Sequence, residues 1–222
     1  MARKLLNAAI GGLFALTFAC GTLLAQNKIQ DFVRIEPSPN ITPYHDVASN
    51  TNVTIFTNLG PSASDEYDDT FGYCVTGANQ SDCGASEQWI AMPFTPKQAS
   101  HATSLQVAIQ YYAGTNALQL SLYNDVGGAP GTSLKTVEAR NAPTAGTCCT
   151  LVNANLGTPG VALTAATQYW VVATSDDSRA PTFSGYWATA NAFLAYNPAQ
   201  AGWNVFNDPE GQEAFAVKGT VP

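Results

Sequence analysis

The sequence predicts an all-β protein, a two-sheet antiparallel β-sandwich of jelly-roll-like topology. Three observations carry that reading. Short runs with period-2 alternation recur along the chain. At 118–123, Leu118, Leu120 and Leu122 alternate with Gln119, Ser121 and Tyr123, as in a strand with one buried face. The runs are separated by clusters of Gly, Pro and Asn, which supply positive φ, a fixed φ and locally hydrogen-bonded turns. No segment sustains a 3.6-residue period over the roughly 11 residues that a helix needs. Ten or so short strands between such turns suit two packed sheets.

In chain order, Arg3 and Lys4 precede an almost uncharged apolar run at 5–25, after which Gln26, Asn27 and Lys28 restore polarity. This is the layout of a secretory signal peptide, with cleavage after Ala25. A retained anchor helix competes with it, because the run is near bilayer-spanning length. Cys20 adds a third reading, lipidation, although Thr17 stands where a lipoprotein signal carries Leu. Residues 26–51, broken by Pro37, Pro39 and Pro43, read as a Pro/Asn-rich arm or linker. The sandwich domain is expected over 52–222.

Within that domain 53–58 is a β-branched strand ending at Gly60 and Pro61. An acidic loop, Asp65, Glu66, Asp68 and Asp69, leads into a short strand at 70–75. The apolar run 89–94, interrupted by Pro93 and followed by Pro96, suits an edge strand. At 102–112, Leu105, Val107, Ile109 and Tyr111 share a face. Residues 124–131 turn the chain through Gly127, Gly128, Pro130 and Gly131 before a new strand near Leu134, and 136–139 is strand-like. Residues 158–163 lead through a turn into 168–174, where Tyr169, Trp170, Val171, Val172 and Ala173 are apolar on both faces, as in a central strand. Aromatic residues then recur between turn residues, and 213–218 forms a final alternating strand.

Composition narrows the function classes. Of 222 residues, 45% are hydrophobic and 11% charged, the latter well under the roughly 25% of a typical soluble protein. The net charge of −7 argues against nucleic acid and anionic membrane surfaces as partners. Signal cleavage would remove two basic residues and deepen the charge. The expected product is secreted or extracellular, at the cell surface, and not inserted in a membrane.

Four of the five cysteines lie beyond the apolar run: Cys74, Cys83, Cys148 and Cys149. An oxidising compartment makes disulfides the default. The preferred pairing closes a short loop through Cys74 and Cys83 and joins the adjacent Cys148 and Cys149. The alternative staples the adjacent pair to Cys74 and Cys83 separately. A structural turn is the favoured role for a vicinal pair, with redox activity as its rival. The spacing does not suit zinc.

The segments around Leu122, Tyr123, Asp125, Gly128, Pro130 and Gly131, and around Leu163, Thr164, Thr167, Tyr169 and Trp170, together resemble the secreted bacterial choice-of-anchor domains, most of all their R type. Ala166 stands where that family usually has Gly. The resemblance extends over 53–221 and implies the sandwich fold. It brings no activity and no catalytic residues. Family members often carry a C-terminal sorting tail; its absence here implies release or another mode of attachment.

Catalytic chemistry finds little footing. A serine triad needs a His beside its nucleophile, yet only His45 and His101 occur and no G-x-S-x-G motif accompanies them. A jelly-roll glycoside hydrolase would need two converging carboxylates; Glu87, Glu138, Glu210 and Glu213 are available but read as surface acids. Asp65, Asp68 and Asp69 could hold a structural calcium ion, no other cofactor being expected, with a solvated acidic loop as the plainer reading. Trp187 and Trp203, with Tyr186, lie in turn-rich segments and are the candidates for stacking on sugar rings, against core packing as the alternative. Trp170 belongs to a buried-looking strand. Together these features point to a non-catalytic module that binds extracellular polysaccharide or cell-surface material, or to a structural matrix or envelope protein without a small ligand.

Overall fold

The computed structural model describes residues 53–61, 66–80, 87–190, 194–198, 202–206 and 212–221. The signal segment 1–25 with Cys20, the arm 26–51 with His45, and Asp65, Cys83 and Glu210 lie outside the described residues. No helix occurs among the described residues. Their strands are β1 (Val53–Thr57), β2 (Asp68–Thr76), β3 (Gln88–Phe94), β4 (Ser100–Val107), β5 (Ile109–Ala113), β6 (Ala117–Val126), β7 (Ala129–Arg140) and β8 (Val152–Asn155). They continue with β9 (Val161–Leu163), β10 (Tyr169–Ser175), β11 (Ser184–Ala190), β12 (Leu194–Pro198), β13 (Asn204–Phe206), β14 (Gln212–Glu213) and β15 (Phe215–Thr220). This exceeds the ten or so read from the sequence because several runs divide.

Two antiparallel sheets pack face to face. The smaller runs β1-β15-β4-β8, with β9 also on β4. The larger runs β14-β11-β2-β3-β10-β6-β7, with β5 on β11 and the β12–β13 pair on β3. Between them lie Ile90, Met92, Leu105, Val107, Ile109, Leu118, Leu120, Leu122, Val171, Phe183, Trp187 and Phe215, all fully buried. Phe215 is a centre of this core: its ring stacks on Phe56 at 4.9 Å and meets Phe94 and Trp187 edge-on at 6.2 and 6.1 Å.

β10 is buried along its whole length, between β3 and β6, as its two-sided apolar sequence predicts. The turn after β6 is tighter than the sequence suggests. Gly127 and Gly128, at φ 65° and 84°, form a two-residue connection, and β7 begins at Ala129. Positive φ at both positions matches the right-handed twist of the strands they join.

Two expectations need correction. The run 89–94 is not an edge strand: β3 pairs with β10 on one side and with β12 on the other, and meets β2 through Gln88. Pro93 is tolerated because β12 pairs only as far as Ala91, so the missing N–H falls beyond that ladder, where the Pro93 carbonyl instead accepts from Gln212 Nε2 at 2.8 Å. Nor is 102–112 one strand. It leaves the smaller sheet at Ala108 and joins the larger as β5. Ala214 makes the same change between β14 and β15.

Three backbone bonds close the corner where these crossings meet. Ala108 N donates to Ala214 O (3.0 Å), Ala214 N to Ala188 O (2.7 Å) and Ala188 N to Ala108 O (2.9 Å). The ring satisfies backbone groups that would otherwise be orphaned where the ladders break. All three alanines are fully buried.

Candidate functional site

The alternation of the larger sheet puts its second face outward, away from the core, and this face carries an aromatic group. Ala91, Trp170 and Val172 form a small buried cluster there, flanked by half-buried Tyr123 and Trp203. Trp170 and Tyr123 are direct cross-strand partners on β10 and β6. The Trp170 indole N–H donates to Asp125 Oδ1 at 2.8 Å, and Gln168 Nε2 donates to the same oxygen at 2.8 Å. Asp125 Oδ2 accepts from Gly128 N at 3.0 Å, the turn-forming role expected of it. Thus Trp170 is fully buried and held by Asp125, while Trp203 and Tyr123 are half-buried beside it. Burial pushes the Tyr123 hydroxyl above its ordinary pKa.

Of the three sequence candidates, only Trp203 lies in this group. Trp187 is a correction. It is fully buried in the core, and its indole N–H is spent on Ala214 O at 2.9 Å. The aromatic sits on β11 and meets Phe215 of the opposite sheet edge-on at 6.1 Å, so its ring faces the core rather than a ligand. Tyr186 is half-buried against the same core, and its hydroxyl lies 2.8 Å from Asp69 O and 2.7 Å from Gln110 Oε1. The fully buried Trp187 ring is not a stacking platform. Tyr123 was missed, although its signal was present: it is the one aromatic on the polar side of the Leu118, Leu120, Leu122 alternation.

Tyr186 instead helps to anchor the cysteine loop. Gln110 is fully buried, and its Oε1 also accepts from Gly146 N at 2.6 Å while its Nε2 reaches Tyr67 OH at 3.5 Å. The Tyr67 hydroxyl in turn lies 3.2 Å from Thr150 O. Cys148 and Cys149 are bonded to each other within this loop, and the peptide bond between them is cis. Cys74 is also disulfide-bonded. Desolvation raises the hydroxyl pKa of both Tyr67 and Tyr186.

Among the described residues, no three His, Cys, Asp or Glu side chains come together as a metal site would require. Asp68 and Asp69 are successive residues of β2, and successive strand side chains point to opposite faces. Burial raises the Glu66 carboxyl above its ordinary pKa, against the charge of Lys218. The glutamates divide. Glu138 is a surface acid that pairs with Arg140 and, at 3.0 Å, with Arg179. Glu87 and Glu213 are buried, contrary to expectation.

A second concavity lies on the smaller sheet. His101, Thr103 and Ser104 of β4, Asn153 and Asn155 of β8, and Thr158 of the following loop line a groove of about 590 Å³. It draws on segments far apart in sequence, so no motif announces it.

Fold and surface together define an all-β, two-sheet antiparallel sandwich with an aromatic group on one outer face. The sequence matches no protein-family model and no curated protein.

Proposed function

We propose that this chain is a secreted, non-catalytic β-sandwich module that binds extracellular polysaccharide or cell-surface material. The observation that carries the reading is the half-buried pair Trp203 and Tyr123, set beside Trp170 on the outer face of the larger sheet. A sugar ring presents an apolar face and a hydroxyl rim, and half-buried aromatic side chains, Tyr123 on β6 and Trp203 just before β13, can meet the former. The signal-like segment at 1–25 and the resemblance to choice-of-anchor domains support an extracellular setting.

The test is retention of the purified protein on a panel of insoluble polysaccharides, with and without a chelator. Saturable retention on one of them, lost in Trp203→Ala and in Tyr123→Ala at temperatures where each variant stays folded, is the expected result. Absence of retention on every polysaccharide overturns the reading. A structural matrix role then leads, favoured by β7, a twelve-residue strand at the rim of the larger sheet whose outward edge is unpaired among the described residues. Loss of retention in chelator would place a structural cation in the acidic segment that includes Asp65, Asp68 and Asp69.

A further inference from the structure

We propose that the groove on the smaller sheet is a second binding site, specific for neutral, hydroxyl-rich oligosaccharide. Its volume of about 590 Å³ falls within the roughly 300–1,000 Å³ usual for small-ligand sites. Its chemistry is the distinguishing feature. Hydroxyls and carboxamides dominate the lining, and no aspartate, glutamate, lysine or arginine contributes to it. Lys218, the cross-strand partner of Ser104 on β15, interacts electrostatically with Glu66, and an anionic sugar would meet a chain of net charge −7. A neutral polyol needs only donors and acceptors in fixed places.

Those places are set by the surrounding structure. Asn153 Oδ1 accepts from Gln106 Nε2 at 2.8 Å, and Asn153 Nδ2 donates to Leu151 O at 3.2 Å. Asn155 Oδ1 accepts from Gly157 N at 2.8 Å. These bonds fix both amide planes and leave the Asn155 amino group directed to other partners. The side chains of His101, Thr103, Ser104 and Thr158 make no hydrogen bond to any described residue, so their donors and acceptors are open to a ligand. Binding would order these four side chains, while the two asparagines are already held and add little to the entropic cost of capture.

The groove and the Trp203 face lie on opposite sides of the sandwich, because each belongs to the outward surface of a different sheet. A module with both sites bridges two polysaccharide chains, and its avidity exceeds that of either site alone. The groove proposal does not depend on the aromatic face.

The test titrates the full-length protein with soluble neutral hexasaccharides of glucose, xylose and mannose, and with a uronic-acid hexasaccharide as the charged control. The readouts are calorimetry and the imidazole proton resonances, with His45→Gln used to assign the His101 signal. At least one neutral hexasaccharide should move the His101 signal saturably, and the uronic acid should not. Ser104→Tyr and Thr158→Trp, both at outward positions, should each abolish the response by filling the groove. Asn155→Ala should weaken it about tenfold, as expected for one lost hydrogen bond. Trp203→Ala should leave the response intact even where it abolishes retention on insoluble polysaccharide, which separates this site from the other. The proposal is overturned if no neutral hexasaccharide moves the His101 signal, if the uronic acid binds as tightly, or if binding survives both groove-filling variants.

Discussion

The indole N–H of Trp170 and the carboxylate of Asp125 meet at 2.8 Å, joining two stretches of sequence 45 residues apart. Asp125 closes the β6–β7 turn with one oxygen and holds β10 with the other, so the turn and the central strand share a single acceptor. The two stretches that carry the resemblance to choice-of-anchor domains are thereby one structural unit.

Asp125→Ala leaves the buried Trp170 N–H without an acceptor and opens the turn at Gly128. The expected cost is about 1–3 kcal/mol. Asp125→Asn keeps an oxygen acceptor and should cost less. Urea denaturation of the three proteins checks the order.

Trp187 supports the corner made by Ala108, Ala188 and Ala214. Trp187→Phe keeps most of the buried ring but loses the bond to Ala214 O, at a cost of about 1 kcal/mol. Trp187→Ala also leaves a cavity beside Phe215 and should cost about 3–5 kcal/mol. Polysaccharide retention at temperatures where Trp187→Phe stays folded should match the parent, because this ring is inside.

Two glycines separate backbone conformation from steric room. A Cβ at Gly128 would meet nothing within 4 Å, so Gly128→Ala carries only the left-handed backbone penalty, about 1–2 kcal/mol. A Cβ at Gly72 would collide with the Trp187 carbonyl across the β2–β11 ladder. Gly72→Ala should therefore cost about 3 kcal/mol. Thermal melts of the two variants distinguish these mechanisms.

Alkaline pH should destabilise the fold through three tyrosines. Burial raises the hydroxyl pKa of Tyr67, Tyr123 and Tyr186 above the ordinary 10.0. Because the folded state disfavours the phenolate, their contribution is complete below pH 10.0 and is lost as pH rises through the folded-state values. Denaturation free energy should fall over that window, with a shallower slope in Tyr123→Phe. Absorbance at the phenolate band should show these hydroxyls titrating later than Tyr112, which is 65% exposed.

Much of the framework is legible without coordinates because it is local. Period-2 alternation in β6 and the two-sided apolar run of β10 report which side chains share a face, and Gly127 with Gly128 specifies a turn. The aromatic group was half legible: Trp203 lay in a turn-rich segment, and Tyr123 broke the polar side of an alternating strand. Trp187 misled because the segment around it, with Ser184, Gly185 and Asn191, reads as turn-rich.

The sequence by itself determined the class of fold, the positions of most strands and the chemistry of the β6–β7 turn, since each follows from interactions within a few residues. Tertiary structure alone decided that Ala108 and Ala214 change sheets, that Trp187 faces the core while Trp203 stays half open, and that β4 and β8 enclose a groove. Those outcomes depend on which distant strands become neighbours. Backbone hydrogen bonding is the same for every pairing, so the choice falls to how side chains from remote segments fill the space between two sheets.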